Sequence, residues 1–357
     1  MINNPENFLN MVRTTIFERS QGFQKQHSND FKSVLRCCEL DYLTQLKSHG
    51  VDEGSIDFSF AKNTWDKIIT AVSSCLSGRR SRAYTQLKNI LNDVFCEDLI
   101  YTHDKWSALY RMRICSLRKD VPRTEIFHIP FSMIRNVKTQ RYSTPGYPCL
   151  YLAKSIYGSW EEMHRPPIES TLVSQFTSRK DFRVLDLRIP DIDKFTKCES
   201  LYLKYLPVII ACTIPVRNAD DVFKPEYIIP QFVLEWSIEK GPSHKLMGVI
   251  YTSAFYNREF FELDYEWENI AIPVQKLSTK DNYCPVLASM FEVTKPTCYE
   301  YEVMLGNLRL YGPLDEYNEV HPEDKIDKTA YRMSSFNLLE GVLSYKERDL
   351  IYRDMRI

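Results

Sequence analysis

The first third of the chain has apolar residues at helical spacing. One stripe stops just before Gly78, a residue type that commonly ends a helix. Its members are Trp65, Ile68, Ile69, Val72 and Leu76. A second stripe contains Ala83, Leu87, Ile90, Leu91, Val94 and Phe95. The basic turn GRRSR lies between them, so the pattern predicts a helical hairpin, and the earlier segment from Phe8 to Leu46 is also typical of helix.

The pattern changes at Ser107, where apolar and polar residues begin to alternate as SALYRMRIC. Further strands are predicted in DFRVLDLRIP, KLMGVIYTSAF, WENIAIPVQ and YEVML. Helices are predicted in IDKFTKCESLYLKYLPVIIACTI, FKPEYIIPQFVLEWSIEK and SSFNLLEGVLSYKERDLIYRDM. This mixed order predicts the α+β class, with a helical region over residues 1–100 and a mixed region over 101–357.

The central stretch, Arg141–Arg165, combines four local signals. A turn at Pro145–Gly146 precedes CLYLA, which is typical of a short buried strand. Ser155 is a good N-cap for a short helix that we predict over Ile156–His164. The adjacent carboxylates Glu161–Glu162 lie late in that helix, where the dipole does not favour acidic charge. The stretch therefore predicts a strand, an N-cap and a short helix with two acidic side chains near its end.

Composition limits the classes of function. The 357 residues are 44% hydrophobic and 26% charged, which is typical of a soluble globular protein. The net charge of −1 provides no global attraction to nucleic acid or membrane. The N-terminus MINNPENFLNMVR has no basic segment followed by an apolar one, so we expect a cytoplasmic protein. Ten cysteines without a CxxC pair favour reduced thiols over a disulfide framework or a metal site.

Two groups of side chains have competing interpretations. The arginines of the basic turn, Arg79, Arg80 and Arg82, fit a solvated loop better than a phosphate or partner contact. In the segment before the central stretch, His128 fits a packed or hydrogen-bonded histidine better than a catalyst.

Three fragments in order resemble the RES domain family. Its pattern has LYLA, a serine, and a glutamate seven residues later, which here gives Ser155 and Glu162. Upstream, LYRMR resembles the aromatic–arginine strand of the family and gives Arg111. Downstream, GVIYTS resembles its GxxYxS pattern and gives Ser253. The resemblance covers roughly residues 106–274, about half the chain.

The resemblance implies a RES-like mixed β-core akin to ADP-ribosyltransferases in residues 101–357, with a C-terminal extension and an N-terminal helical extension. RES proteins act on NAD⁺ by cleaving its nicotinamide–ribose bond or by transferring its ADP-ribose, and no metal is implied. The implied catalytic residues are Arg111, Glu162 and Ser253. The implied NAD⁺-binding residues are Arg111, Arg141, Tyr142, Tyr151 and Ser253.

Each role follows a chemical need. A planar arginine fits pyrophosphate oxygens with two hydrogen bonds, which suits Arg111. A fixed carboxylate stabilises the positive charge that develops on the ribose, which suits Glu162. Ser253 would supply an orienting hydroxyl, while Arg141 and the two tyrosines would hold phosphate and rings.

Several alternatives stay open. Glu161 replaces Glu162 if the phase of the helix differs, and toxin-type transferases would use an acid after the serine strand, such as Glu259 or Glu262. An ADP-ribosyltransferase that modifies a protein is a second enzyme hypothesis. A non-catalytic interaction protein on a RES core is a hypothesis from another class. A nucleic-acid binder lacks a basic bias and a motif.

The resemblance also implies partners. Such enzymes are commonly growth-inhibiting toxins of toxin–antitoxin or phage-defence systems, held in check by a small antitoxin protein. Self-association through the helical region is a further expectation, since its apolar stripes must be buried against the core or against a second copy.

Overall fold

The structure is a computed structural model that describes residues 2–15, 20–26, 30–115, 121–254, 267–277, 282–304, 331 and 334–354. These residues fall into two compact units. The first comprises Met1–Tyr101, Thr139–Thr144 and Leu185–Ala254, and the second comprises Thr102–Lys138, Pro145–Val184 and Phe255–Ile357, each without its undescribed positions. The predicted boundary near residue 100 is one limit of the first unit, which also takes in two later segments.

The described residues form helices and strands in mixed order, which confirms the predicted α+β class. The helices are α1 (Pro5–Thr14), α2 (Ser20–Gln26), α3 (Phe31–Ser48), α4 (Ile56–Leu76), α5 (Arg80–Val94), α6 (Ile156–Glu162), α7 (Ile192–Lys197), α8 (Glu199–Thr213), α9 (Ile228–His244), α10 (Pro285–Met290), α11 (Tyr299–Met304), α12 (Ser335–Tyr345) and α13 (Ile351–Asp354). The strands are β1 (Ile100–His103), β2 (Ala108–Ile114), β3 (Cys149–Ala153), β4 (Thr171–Ser178), β5 (Phe182–Leu187), β6 (Leu246–Thr252), β7 (Glu268–Pro273), β8 (Phe291–Thr294) and β9 (Arg348–Leu350).

The predicted hairpin is present as α4 and α5 of the first unit. The side chain of Ser55 caps α4 by accepting the N–H of Phe58 at 3.2 Å. After α4 the backbone of Gly78 has a φ of +77°, a conformation that favours glycine and reverses the chain. The hairpin therefore follows from signals that lie within its own sequence.

The apolar stripes of this hairpin are buried inside the first unit. Helix α4 packs against α8, and α5 packs against α9. Trp65 of α4 and Trp236 of α9 are fully buried. The indole N–H of Trp236 donates to Asn92 at 3.0 Å, and the hydroxyl of Tyr42 donates to the carbonyl of Leu203 at 2.8 Å. Burial of such large side chains stabilises the packing by about 2 kcal/mol each.

In the second unit, six strands follow one another in the order β7-β3-β2-β4-β8-β9. The pairs β7–β3, β3–β2, β2–β4, β4–β8 and β8–β9 are antiparallel. Strand β2 pairs with β4 along its whole length, from Ala108 opposite Thr177 to Ile114 opposite Thr171. It meets β3 at a single position, Tyr110 opposite Ala153. All eight residues of β4 are buried, as expected for a central strand.

Two predicted segments differ from the structure. YEVML was predicted as a strand, but its described residues belong to helix α11. The C-terminal segment was predicted as one helix, whereas it divides into α12, β9 and α13. Strands β4 and β8 were not predicted. Within the described ranges, no helix has both the length and the apolar character needed to cross a bilayer.

A buried ion pair fastens the last described helix to the second unit. The backbone N–H of Arg123 donates to Asp354 at 2.7 Å, and its guanidinium donates to the same carboxylate at 3.1 Å and to the carbonyl of Val293 at 2.7 Å. The two side chains are only 7% and 15% exposed. Because a buried charge without a partner strongly destabilises the folded state, the stability of this region depends on the Arg123–Asp354 pair.

We expect Asp354→Ala to lower the free energy of unfolding by about 3 kcal/mol, because it leaves the Arg123 guanidinium buried without a countercharge. The matched control is Arg353→Ala on the same helix. That arginine is 66% exposed and pairs with Asp349, so its loss should cost less than about 0.5 kcal/mol. Urea denaturation of both variants measures the difference, and equal losses would contradict the assignment.

Candidate active site

The central stretch folds as a strand, a cap and a short helix, as predicted. The hydroxyl of Ser155 accepts the N–H of Gly158 at 2.9 Å and so caps α6. The helix ends at Glu162, two residues earlier than the predicted His164. His164 and Arg165 then adopt positive φ angles of 61° and 53°, which stop the helical backbone before the proline pair. Glu162 is therefore the last helical residue.

Contacts from distant segments hold α6 in place. Glu340 of α12 accepts the N–H of Ile156 at 2.6 Å and the hydroxyl of Tyr331 at 2.8 Å. The backbone N–H of Met112 in β2 donates to the hydroxyl of Ser159 at 3.0 Å. The helix is thus anchored at its start by α12 and in its middle by the sheet. Sequence reasoning missed Glu340, since no local pattern links it to residue 156.

Glu162 is fixed by a side-chain amide from a strand. The Nδ2 group of Asn269 donates to Oε1 of Glu162 at 2.8 Å. Asn269 is only 3% exposed and lies on β7, opposite Ala153 of β3. Because a buried amide has few alternative positions, this hydrogen bond restricts the carboxylate to one region. No signal in the sequence marked Asn269 as its partner.

Glu161 has a different environment. It is 4% exposed, and Oε2 accepts the Nε–H of Arg165 at 2.9 Å. This hydrogen bond to the carboxylate raises the pKa of Arg165. The guanidinium also lies 5.7 Å from the ring centroid of Trp160. Glu161 is therefore engaged in an ion pair at the turn after α6, whereas Glu162 accepts a hydrogen bond from a neutral amide.

Arg111 is partly buried in the middle of β2. Its Nη1 group donates to the backbone carbonyl of Tyr151 at 2.8 Å. Burial lowers the pKa of Arg111 to about 10, so the guanidinium stays charged at neutral pH. Its Nε group is buried and has no hydrogen-bond partner among the described residues. A charged planar group with a spare donor is suited to an anion.

The register of the sheet separates Arg111 from Glu162. Tyr110 lies opposite Ala153, which lies opposite Asn269, so these three side chains share one face. Since neighbouring residues of a strand point to opposite faces, Arg111 leaves the sheet on the other side. Glu162 contacts the first face through Asn269. The two predicted catalytic residues thus lie in one unit but on different faces of its sheet.

His128 is a neighbour of Arg111 in the second unit and is 1% exposed. Its Nδ1 lies 2.8 Å from the carbonyl of Ile129, and its Nε2 accepts the N–H of Cys284 at 2.9 Å. This pair of contacts defines a neutral imidazole with the proton on Nδ1. The prediction of a packed, hydrogen-bonded histidine is confirmed.

Arg141 and Tyr142 lie in the first unit. The Nη1 group of Arg141 donates to the carbonyls of Cys212 and Ile214 at 2.9 and 3.0 Å, at the end of α8. Its guanidinium lies 5.3 Å from the ring centroid of Tyr227. A cation at this position satisfies terminal carbonyls and complements the helix dipole. Tyr142 is 1% exposed, so both side chains have structural surroundings.

The other predicted residues divide between the units. Ser253 follows β6 in the first unit and is fully buried. Tyr151 lies on β3 in the second unit, opposite Ala271, and is half-buried. The alternative acids Glu259 and Glu262 lie outside the described residues. Of the predicted set, the second unit contains Arg111, Tyr151 and Glu162. The roles assigned to all these residues stay predictions.

The pH dependence of stability should reveal the neutral histidine. Burial, assisted by the positive Arg111, lowers the pKa of His128 from 6.5 to about 4. The unfolded chain takes up a proton near pH 6.5 and the folded chain only near pH 4. Its contribution is therefore complete above about pH 7 and is lost as the pH falls through this window, by up to about 3 kcal/mol.

We expect His128→Gln to reduce the slope of unfolding free energy against pH between pH 7 and pH 4. The variant keeps part of the slope because burial also lowers the pKa of His103 to about 4. Urea denaturation at several pH values gives both slopes. An unchanged slope would show that His128 does not titrate in this way, whatever the variant's stability at pH 7.

Comparison with known proteins gives one informative similarity. The chain is 32% identical over 288 residues to a curated protein named putative toxin YopC from Bacillus subtilis (strain 168). The aligned region is 73% of this chain and 63% of that protein, so the chain spans less than two thirds of its relative. No family model matches the chain, and no solved structure matches it. The comparisons therefore connect this chain with a protein named as a putative toxin.

Proposed function

We propose that this chain is a toxin whose second unit cleaves the nicotinamide–ribose bond of NAD⁺. The toxin part is supported by the 32% identity to the relative named putative toxin YopC. The choice of NAD⁺ is supported by the sequence resemblance to RES domains, in which a glutamate follows a serine by seven residues. Here Ser155 and Glu162 begin and end one capped helix. A toxin of this kind would require an antitoxin protein in the producing cell.

The observation that carries the proposal is the placement of Glu162 by a buried amide. Cleavage of the nicotinamide–ribose bond passes through a state in which the ribose becomes positively charged. A carboxylate that is already in position stabilises this charge without the cost of reorganisation. The 2.8 Å hydrogen bond from Asn269 provides such positioning. Glu161 is a weaker candidate because Arg165 already neutralises it.

The end of α6 contributes in the same direction. Glu162 is the last residue of this helix, where the backbone carbonyls form the negative end of the dipole. Carboxylate and dipole both favour a positive charge nearby. The arrangement is unfavourable for an anion and suits a transition state with cationic character. This explains why an acid occupies a position that helix stability alone would give to a base.

Arg111 has a separate part in the proposal. Its Nε group has no hydrogen-bond partner among the described residues, and this donor and the positive charge suit a phosphate oxygen. The register places it on the face away from Asn269, so its contact with NAD⁺ is not implied by the position of Glu162. The roles of the two residues are therefore tested independently.

We expect Glu162→Gln to reduce NAD⁺ turnover by about 10²–10³-fold with little change in substrate affinity, because it removes the charge but keeps the shape. Asn269→Ala should reduce the rate by about tenfold or more by freeing the carboxylate. Release of nicotinamide, with product identification, measures both and distinguishes ADP-ribose from ADP-ribosylated protein.

Glu161→Gln is the matched control for this experiment. It removes the same charge from the neighbouring residue and should lower stability more than rate, since Arg165 loses its ion pair. Full turnover in Glu162→Gln, together with a folded but inactive Glu161→Gln, would show that Glu161 and not Glu162 is the catalytic carboxylate. Absence of NAD⁺ turnover in the unaltered protein would reject the proposed reaction.

We expect Arg111→Ala to weaken NAD⁺ binding by about tenfold or more, and Arg111→Lys to restore it only in part, because an ammonium cannot bind two phosphate oxygens as a guanidinium does. Arg113→Ala is the control. Arg113 lies two residues along the same face of β2, is 50% exposed and pairs with Glu125 at 3.2 Å. Titration calorimetry gives the affinities. Equal affinity in Arg111→Ala and the unaltered protein would remove Arg111 from the site.

A further inference from the structure

A polar cavity of about 470 Å³ lies among the helices of the first unit. It is bounded by the start of α3, the last turns of α4 and the basic turn that joins α4 to α5. Its volume is in the range of small-molecule sites. Among the described residues the lining has no aromatic ring, and Ile69 is its one purely aliphatic side chain. A ligand would therefore be recognised here through polar groups and not through stacking.

The charge of the lining is strongly positive. Its cations are Lys32, Arg36, Arg79 and Arg82. Asp30 is the one acidic residue in the described part of the lining. Both of its oxygens accept hydrogen bonds at the start of α3, from the N–H of Lys32 at 3.1 Å and the hydroxyl of Ser33 at 2.6 Å. These hydrogen bonds, the one from Ser33 above all, lower the pKa of Asp30 and keep it ionised.

The four cations differ in how far they are already neutralised: Arg36 has two carboxylate partners, and Asp30 offsets part of the charge of Lys32. Arg36 pairs with Glu39 at 2.7 Å and with Asp66 at 2.8 Å. Lys32, Arg79 and Arg82 make no ion pair with the described residues. Their positive charges converge on one cavity although the whole chain is almost neutral, with a net charge of −1. Arg79 and Arg82 are exposed, so water screens part of their mutual repulsion, and an anion that bridged them would reduce it further.

The backbone adds to this field. Helix α5 begins at the basic turn, and its first N–H groups have no side-chain cap because the N-cap residue is Arg79. The positive end of a helix of 15 residues thus faces the region of the turn. The lining hydroxyls of Ser33, Thr70 and Ser74 already donate within the protein. Among the described lining residues, Ser73 is therefore the hydroxyl left to donate to a phosphate oxygen.

We propose that this cavity binds a small ligand that carries several phosphate groups. The ligand's phosphates would contact Lys32, Arg79 and Arg82, with arginine forks on their oxygens. This assignment does not depend on the reaction proposed for the second unit. It gives the basic turn a role in ligand binding, in contrast to the prediction of a solvated loop.

The test uses the full chain and tripolyphosphate as the probe, in isothermal titration calorimetry at physiological salt. We expect binding in the unaltered protein, and at least about a tenfold loss in the double variant Arg79→Gln and Arg82→Gln, since charge-assisted contacts are removed. The matched control is the double variant Lys62→Gln and Arg80→Gln. It removes the same charge, but neither residue lines the cavity, and Arg80 lies over the ring of Phe232 instead.

Each outcome decides the assignment. Loss confined to Arg79→Gln and Arg82→Gln, with an unchanged melting temperature, supports it. Equal loss in the control variant shows general electrostatic attraction and overturns it, as does absence of binding. A parallel titration with ATP separates the sources: affinity equal to that of tripolyphosphate indicates recognition of phosphate alone, and higher affinity indicates a nucleotide. Binding of a polyglutamate peptide without tripolyphosphate binding would assign the surface to an acidic protein segment and overturn the proposal.

Discussion

The register of β3 between β2 and β7 is the constraint on which the candidate active site depends. It aligns Tyr110, Ala153 and Asn269 on one face of the sheet, and Asn269 holds Glu162 there. A shift of one residue would move Asn269 to the other face and leave Glu162 without this partner. The same alternation directs Arg111 away from Glu162. A few backbone hydrogen bonds therefore decide which predicted catalytic groups can act on the same atoms.

The parts that the sequence predicted are those specified by nearby residues. The cap from Ser155 to Gly158 and the turn at Gly78 each involve residues a few positions apart, and both are present. Asn269 and Glu340 could not be identified because they reach α6 from residues more than 100 positions away. The alternation in SALYRMRIC predicted a strand, and neighbouring strand residues such as Tyr110 and Arg111 point to opposite faces. It could not show which of those sides α6 would cover.

The helical region of residues 1–100 packs against later parts of the chain in an ordinary hydrophobic core. Its two apolar stripes face α8 and α9, with Trp65 and Trp236 fully buried. The alternative of a second copy of the chain is therefore not needed to cover them. Removal of residues 1–100 would expose the apolar sides of α8 and α9. Loss of activity after such a truncation could then result from misfolding. Point substitutions are therefore the better test of the function of the helical region.

The arginines illustrate how structure separates candidate functional cations from structural ones. Arg141 donates to the carbonyls that end α8, Arg123 is matched by Asp354, and Arg165 is matched by Glu161. Each is satisfied within its own unit, so a ligand would have to compete with an existing contact. Arg111 has a buried Nε without a partner among the described residues. Arg79 and Arg82 likewise make no described ion pair, and they line a cavity whose described residues include one acid. All six residues are arginines, so residue type alone does not distinguish them. Whether their charges and N–H groups already have partners is the physical basis for expecting an anion at Arg111, Arg79 and Arg82 and not at the other three.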